Sequence, residues 1–253
     1  MILIIMRRAG IVKPENDAFG QELWAYYYGQ DVCEIVERDD GYFSAHQRPA
    51  IYFSEYKDWS IIEQKAMGFV KGKVLDVGCG AGRHSLYLQR KGFDVVSIDS
   101  SPLAIKVCKL RGVKKAGFMS LEGMSFRPGA FDTILMLGGN FALLGNPRKA
   151  GRLLKKFFRM TSKGAVIIGE MRDPYRTDNP IHLDYHKWNR SRGKLSGQSK
   201  IRVRFEKTAT GWIEWMLVSK EEVEQLLRGT GWAVSEFVDS GDSGYVAIIK
   251  KVE

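Results

Sequence analysis

A short apolar run, Val74–Val77, leads directly into three closely spaced glycines, Gly78, Gly80 and Gly82. A segment with the apolar spacing of a helix begins at Arg83. Glycine adopts positive φ angles readily and, having no side chain, lets a ligand approach the backbone closely. The first turn of a helix also offers unpaired N–H groups. The segment therefore predicts a backbone cradle for a nucleotide-like ligand.

An acidic residue, Asp99, follows the next predicted strand, Asp94–Ile98, and lies 17 residues after Gly82. A carboxylate in that position can accept hydrogen bonds from both hydroxyl groups of a ribose. Dinucleotide-binding folds carry a further glycine where this chain has Arg83, because that glycine lets the helix pack closely on the strand. The spacing therefore disfavours a nicotinamide-dependent oxidoreductase, which is one competing interpretation.

The elements that must position these residues alternate between strand and helix from Lys73 onwards. Continuous apolar strands that alternate with helices indicate a parallel sheet with both faces covered. We predict an α/β fold with a doubly wound, mostly parallel, seven-stranded sheet of Rossmann-like topology, whose ligand site lies at the carboxyl ends of the strands. The predicted strands are 74–77, 94–98, 116–119, 131–137 and 165–170, the predicted helices are 83–90, 102–110, 148–160 and 219–228, and an antiparallel pair, 232–238 and 245–250, closes the sheet.

Residues 1–72 and 172–218 do not follow this alternation. The first segment holds ten aromatic residues between Trp24 and Trp59, which predicts a packed, mostly helical N-terminal extension that acts as a lid over the α/β domain of residues 73–253. The second segment contains a period-two apolar pattern followed by a turn, which predicts an inserted β-hairpin that caps the substrate side.

The composition excludes several classes of protein. The chain has 253 residues, of which 44% are hydrophobic and 27% are charged, as in ordinary globular proteins, and its formal net charge is +10. Its three cysteines lack C-x-x-C spacing, which argues against a disulfide framework or a structural zinc site and indicates the cytoplasm. No apolar run is long enough for a membrane span. The apolar segment at Met1 is too short for a signal peptide, and Met6 is an alternative start.

The glycine-rich segment and the acidic residue after the next strand resemble those of the class I S-adenosylmethionine-dependent methyltransferases. Val74–Gly82 is similar to their first motif and Ser97–Pro102 to their second, and the resemblance covers about residues 73–170 together with the closing helix and strand pair. It implies S-adenosylmethionine as the cofactor and S-adenosylhomocysteine as the product. The cofactor-binding residues that it implies are Asp76, Gly78, Cys79, Gly80, Asp99, Ser100, Ser120, Leu121, Leu137 and Asn140.

The resemblance also assigns roles to these positions. The backbone of Gly78–Gly80 would hold the methionine part, with Asp76 near its amino group, and Asp99 would bind the ribose. The third strand of the family usually ends in an acid that bonds the adenine amino group, but this chain has Ser120 there. A hydroxyl accepts more weakly than a carboxylate, so the adenine would be held by packing and the Leu121 backbone, or with the help of Glu122.

The segment Leu137–Phe141 follows the fourth strand and lacks the Asn/Asp-Pro-Pro-aromatic motif of many enzymes that methylate nucleobase amines. It is more similar to small-molecule methyltransferases such as the glycine N-methyltransferases. Asn140 would lie near the sulfonium or the acceptor, or it simply caps a glycine-rich turn. The candidates to face the acceptor beyond the strand ends are Asn140, Glu170, Arg172, Asp173 and Tyr175.

Weaker patterns suggest additional partners. The helix 148–160 carries six basic residues on one arc, which would suit RNA phosphates or only a solvated face. Arg202 and Arg204 would grip an acidic group of the acceptor or protect an edge strand. The H-x-D-x-H run from His182 to His186 would direct three side chains the same way if it were extended, but a polar lining is favoured over a metal site.

We therefore expect a methyltransferase that acts on a nitrogen or oxygen atom of a small molecule. An in-line displacement needs mainly alignment of the acceptor, and a general base only where the acceptor must first lose a proton. The alternatives are an RNA methyltransferase that uses the basic helix and a non-catalytic regulatory protein that binds the cofactor. We expect no metal and no membrane partner, and the sequence does not define the oligomeric state.

Overall fold

The computed structural model describes residues 16–45 and 49–252, and the choice between Met1 and Met6 lies outside them. The extension before residue 73 contains helix α1 (Ala18–Tyr27), strands β1 (Ile35–Arg38) and β2 (Phe43–Ser44), and helices α2 (Ala50–Phe53) and α3 (Ile61–Ala66). The α/β part follows with β3 (Val74–Val77), α4 (Arg83–Arg90), β4 (Val95–Asp99), α5 (Pro102–Leu110), β5 (Ala116–Phe118), β6 (Phe131–Met136), α6 (Pro147–Met160) and β7 (Thr161–Arg172). The remaining elements are α7 (Pro180–Ser191), β8 (Gln198–Phe205), β9 (Thr208–Ala209), β10 (Ile213–Met216), α8 (Lys220–Leu227), β11 (Trp232–Asp239) and β12 (Gly244–Lys251).

The predicted seven-stranded sheet is confirmed, with strand order β11-β12-β7-β6-β3-β4-β5. Strands β3 to β7 pair in parallel, whereas β12 is antiparallel to both β7 and β11. The central strands are apolar on both faces, and Leu75, Ile134 and Ile167 are completely buried among them. Because β3 lies between β4 and β6, the chain reverses direction across the sheet beside it, which opens a crevice at its carboxyl end.

Helix α5 begins where its sequence predicts. Pro102 occupies the first turn, and the Ser101 hydroxyl accepts the N–H of Ala104 at 2.9 Å. Helix α8 begins with the predicted capping box, in which the side chains of Ser219 and Glu222 each accept the backbone N–H of the other. These caps fix the points at which the chain leaves the sheet.

The second sheet departs from the prediction of a simple inserted hairpin. Strands β10, β8, β1 and β2 form an antiparallel sheet, and β9 also pairs with β8. The N-terminal extension, predicted to be mostly helical, therefore contributes two strands to a sheet that the insertion completes. The short, charged sequence of β1 has no apolar alternation, and its pairing with β8 comes from tertiary packing.

The interpretation of the H-x-D-x-H run as extended is wrong, because these residues lie in α7. Pro180 starts this helix, and the Asn179 side chain caps it. His182 then contacts Arg38, while the exposed Asp184 pairs with Lys187. In the described part of the chain, no group of His, Cys, Asp and Glu side chains is arranged to hold a metal ion.

No helix within the two described ranges is both long enough and apolar enough to span a membrane.

Candidate functional site

The turn that leaves β3 has the backbone conformation that its glycines allow. The φ angles are +71° at Gly78, +53° at Gly80 and +82° at Gly82, a region that other residues rarely adopt. The N–H groups of Gly78 and Cys79 both donate to the carbonyl of Ile98, at 2.9 and 3.1 Å. The turn is therefore held to the end of β4, beside Asp99.

Asp99 bridges this turn and the start of α5. Its Oδ2 accepts the N–H of Gly80 and its Oδ1 accepts the N–H of Ser101, both at 2.9 Å. Burial raises the pKa of Asp99 to about 6, although the two backbone N–H groups act in the opposite direction. Each carboxylate oxygen has a second lone pair, so the side chain retains the capacity to accept hydrogen bonds from ribose hydroxyls.

Other residues assigned to the cofactor differ in exposure. Asp76 is buried, and its Oδ2 accepts the Ser85 hydroxyl at 2.5 Å, so it supports the turn from inside the domain. The Sγ atoms of the buried, unbridged Cys79 and Cys108 lie 3.7 Å apart. Ser100, which directly follows Asp99, is exposed.

The segment after β5 is where the adenine interaction was expected. Ser120 is partly buried and accepts the N–H of Gly123 at 3.0 Å, while Leu121 is buried. The Glu122 carboxylate pairs with Lys149 at 2.5 Å. That ion pair directs Glu122 toward α6, which weakens the case for its contact with an adenine.

Two of the candidate acceptor-side residues lie at the ends of neighbouring strands. Nδ2 of Asn140 donates to the carbonyls of Val77 and Gly78, at 3.0 and 2.7 Å. Oε2 of Glu170 accepts the N–H of Gly138 at 2.6 Å. Burial raises the pKa of Glu170 to about 7, and the charge of Glu63 acts in the same direction.

The other acceptor-side candidates lie elsewhere. The Tyr175 hydroxyl donates to Glu222 of α8 at 2.7 Å, and its side chain is half exposed. Arg172 is exposed, and the backbone of Asp173 pairs with Ser243. The structure therefore brings Asn140 and Glu170 to the crevice but directs Tyr175 away from it.

Arg83 is a site residue that the sequence reasoning missed. It forms a buried ion pair with Glu63, whose carboxylate also lies 3.1 Å from Nε2 of His84. A Cβ atom built on Gly138 would lie 3.7 Å from Nη2 of Arg83. Arg83 thus reaches the same strand end as Glu170, and its place directly after the glycines was the available signal.

Aromatic side chains lie against the glycine turn and the segment after β6. A Cβ atom built on Gly80 would lie 3.5 Å from Tyr52 and 3.7 Å from Phe19, and these two rings meet edge to face. From the second sheet, Trp215 lies 3.7 Å from the corresponding position on Gly139. The extension and the insertion therefore each place aromatic rings beside glycines at the carboxyl ends of the strands.

The arginines of β8 are already paired with a residue of the extension. Arg202 and Arg204 both donate to the Glu37 carboxylate, with shortest distances of 2.6 and 2.5 Å. These hydrogen bonds lower the pKa of Glu37 to about 2. The expectation that these arginines grip an acceptor is therefore not supported, because they join β8 to β1.

Comparison with known proteins shows what the α/β domain is similar to. Residues 74–164 match a family model described as "Methyltransferase domain". Glycine N-methyltransferase of Oryctolagus cuniculus is 30% identical over 139 residues, which are 47% of this chain and 46% of that protein. A 23S rRNA (uracil(747)-C(5))-methyltransferase of Pyrococcus abyssi is 34% identical over 104 residues, or 41% of this chain and 23% of that protein. The chain spans about half the length of the first of these relatives.

A solved structure extends the likeness in fold to nearly the whole chain. The S-adenosylmethionine-dependent methyltransferase of Bacteroides fragilis, in complex with S-adenosyl-L-homocysteine, has a TM-score of 0.82 at 23% identity, covering 96% of this chain and 98% of that one. The fold and the glycine turn define a Rossmann-like α/β domain. The family match over residues 74–164 and this likeness in fold both support a class I S-adenosylmethionine-dependent methyltransferase.

Proposed function

We propose that the protein transfers the methyl group of S-adenosylmethionine to a nitrogen or oxygen atom of a small molecule. One observation carries this proposal: the Gly78–Gly82 turn is tied through Asp99 to the tip of β4, with Asn140 against its other side. Backbone, carboxylate and amide then converge on one crevice at the carboxyl ends of the strands. Such a site suits a nucleoside that carries a charged amino-acid group.

The residues at the crevice fit this cofactor. A Cβ atom on Gly78 would lie 2.7 Å from Nδ2 of Asn140, so the backbone here has no room for a side chain. In our proposal the turn holds the methionine part, Asp99 accepts the ribose hydroxyls, and Ser120 and Leu121 border the adenine. Leu137 and Asn140 would lie near the sulfur. The bound cofactor supplies an electrophilic methyl group, already activated by its sulfonium.

The protein's own contribution is alignment and proton removal. Orientation alone can accelerate a displacement strongly. Glu170 hydrogen-bonds the backbone at Gly138, and its pKa of about 7 makes it basic for part of the population at neutral pH. We assign it the role of taking the proton that a protonated amine or a hydroxyl must lose. Asn140, which donates hydrogen bonds to two backbone carbonyls, would keep the side of the crevice that faces the methyl acceptor in a fixed position.

A small acceptor is favoured by the aromatic side chains beside the glycines of the site. Phe19 and Tyr52 lie against Gly80 of the turn, and Trp215 lies near Gly139 after the neighbouring strand. Glycine and sarcosine N-methyltransferases among the relatives agree with this choice.

An RNA acceptor is the second candidate, favoured by the rRNA methyltransferase among the relatives. The α6 helix buries Leu153, Leu154 and Phe157, and it exposes a basic face formed by Arg148, Arg152, Lys155 and Arg159. Lys149 instead pairs with Glu122. The exposed face is thus narrower than the sequence predicted. A third candidate is a cofactor-binding protein without turnover.

The deciding experiment uses cofactor labelled in its methyl group together with a fractionated cell extract. Label in low-molecular-weight compounds supports the proposal, label in RNA supports the second candidate, and stable cofactor binding without label transfer supports the third. An Asp99→Ala variant should lose transfer to any acceptor. Asp184→Ala, which removes an aspartate whose side chain is 73% exposed, is the matched control and should retain it.

A further inference from the structure

Two carboxyl side chains are buried together between α1 and the second sheet. Glu22 is completely inaccessible, and within the described ranges neither of its carboxyl oxygens has a hydrogen-bond partner. Glu34 is 4% exposed and accepts the Tyr52 hydroxyl at 2.8 Å. The charge of Glu34 contributes, after burial, to raising the pKa of Glu22 to about 9.

This carboxyl pair borders the wall of the crevice. Glu22 lies one helical turn after Phe19, so the two share a face of α1. Phe19 and Tyr52 are the side chains that a Cβ atom on Gly80 would meet, and Tyr52 joins that wall to Glu34. The carboxyl groups thus lie directly behind the aromatic cover of the glycine turn.

Among the described residues, the cation that acts on this region is already paired with another carboxylate. Arg83 contributes to the electrostatics of Tyr52 but forms its ion pair with Glu63. A buried polar group without a partner destabilises the folded state, and a second carboxyl beside it disfavours ionisation of both groups. A positively charged group with several N–H donors would relieve both effects, whereas an anion would be repelled.

We infer that Glu22 and Glu34 form a subsite for an ammonium group. The inference rests on the proposed function, which offers two sources of that group: an amine acceptor, or the amino-acid end of the cofactor. The Phe19 and Tyr52 rings would add favourable faces for a cation. The subsite would make this site selective for ligands that carry an amine and exclude carboxylates of similar size.

The test combines calorimetry and thermal unfolding of the full chain with three variants. Glu22→Gln keeps a polar side chain that cannot ionise, Glu22→Met removes the polar group, and Glu55→Gln is the control, because Glu55 lies in an exposed pair with Arg90. Glu22→Met should raise the Tm by about 2–4 °C, because an unpartnered buried carboxyl is removed. A loss of binding in this variant would then not come from unfolding.

Two titrations distinguish the sources. If S-adenosylhomocysteine binds Glu22→Gln at least about tenfold more weakly than wild type, the subsite holds the ammonium of the cofactor. The subsite holds the acceptor if the affinity for S-adenosylhomocysteine is unchanged in Glu22→Gln and methylammonium chloride raises the Tm of the complex with S-adenosylhomocysteine in the wild type but not in the variant. Sodium chloride is the salt control and should raise the Tm of neither complex. Equal behaviour of wild type, Glu22→Gln and Glu55→Gln in both titrations would overturn the inference. Absence of S-adenosylhomocysteine binding to wild type would instead overturn the proposed function.

Discussion

The carboxylate of Asp99 accepts the backbone N–H of Gly80 at 2.9 Å, and this hydrogen bond ties the tip of β4 to the middle of the glycine turn. The same carboxylate accepts the N–H of Ser101 through its other oxygen. One side chain thereby organises the turn while retaining lone pairs toward the crevice. A change at Asp99 should consequently alter cofactor binding through both contacts.

Gly78→Ala should weaken cofactor binding and reduce stability. The positive φ angle costs about 1–2 kcal/mol for any other residue, and the new Cβ would lie 2.7 Å from the Asn140 amide. Displacing that amide loses hydrogen bonds to two carbonyls, each worth about 1 kcal/mol. Urea unfolding and S-adenosylhomocysteine titration measure the two effects.

The matched control for that substitution is Gly129→Ala. Gly129 also has a positive φ angle, +66°, but no described heavy atom lies within 4 Å of the position of its Cβ. It should lose only the backbone contribution and bind cofactor normally. Equal stability losses and unchanged cofactor affinity in both variants would show that the contact with Asn140 has no importance.

The transfer rate should rise with pH around neutrality if Glu170 takes the acceptor proton. Its pKa of about 7 means that the basic carboxylate form is gained as the pH passes through 7. Glu170→Gln should reduce kcat about a hundredfold and leave KM less affected. The rise in transfer rate around pH 7 should disappear in this variant. An unchanged pH profile in the variant would exclude the assignment.

Thermal unfolding provides a second readout for Glu170. The ordinary carboxyl pKa of 4.5 is raised to about 7 in the folded state, so the unfolded chain releases its proton first as the pH rises. The wild type should therefore lose stability between about pH 4.5 and 7 relative to Glu170→Gln. A constant difference in Tm across that range would contradict the raised pKa.

Glu63→Gln should destabilise the fold by about 3–5 kcal/mol, because it leaves Arg83 buried without its counter-charge. Although burial opposes it, the contact with His84 and the charge of Arg83 lower the pKa of Glu63 to about 2. The stabilisation is therefore present above the ordinary value of 4.5 and is lost as the pH falls toward 2. Chemical denaturation at several pH values measures both effects.

The exposed pair of Glu55 and Arg90 offers the comparison for Glu63. Its two side chains are 53% and 59% exposed, and Glu55→Gln should change stability by less than about 1 kcal/mol. Similar decreases in the free energy of unfolding in Glu63→Gln and Glu55→Gln would mean that burial of the Glu63–Arg83 pair is energetically unimportant.

The sheet could be predicted from the sequence because its order of elements and its buried strands are local patterns. The positions of Gly78 and Asp99 followed from the same patterns, since parallel strands end at one edge of the sheet. The start of α8 followed from its Ser219 capping box. These features depend on residues that are near one another in the chain.

The particular side chains that surround the site could not be predicted in the same way. Glu22 and Glu34 gain their significance from burial against other segments, and nothing in their local sequence indicates it. Arg83 could be read as the residue that replaces a glycine, but its pairing with Glu63 depends on how α3 packs against α4. The second sheet likewise forms only when β1 meets β8, far along the chain.

The most direct measurement is isothermal calorimetry of S-adenosylhomocysteine with wild-type protein and with Asp99→Ala. We expect saturable binding at one site in the wild type and an affinity at least about tenfold lower in the variant, because the ribose hydroxyls lose their acceptor and the Gly80 N–H loses its partner. No binding to the wild type, or equal affinities for the two proteins, would contradict the assignment of this crevice to the adenosyl cofactor.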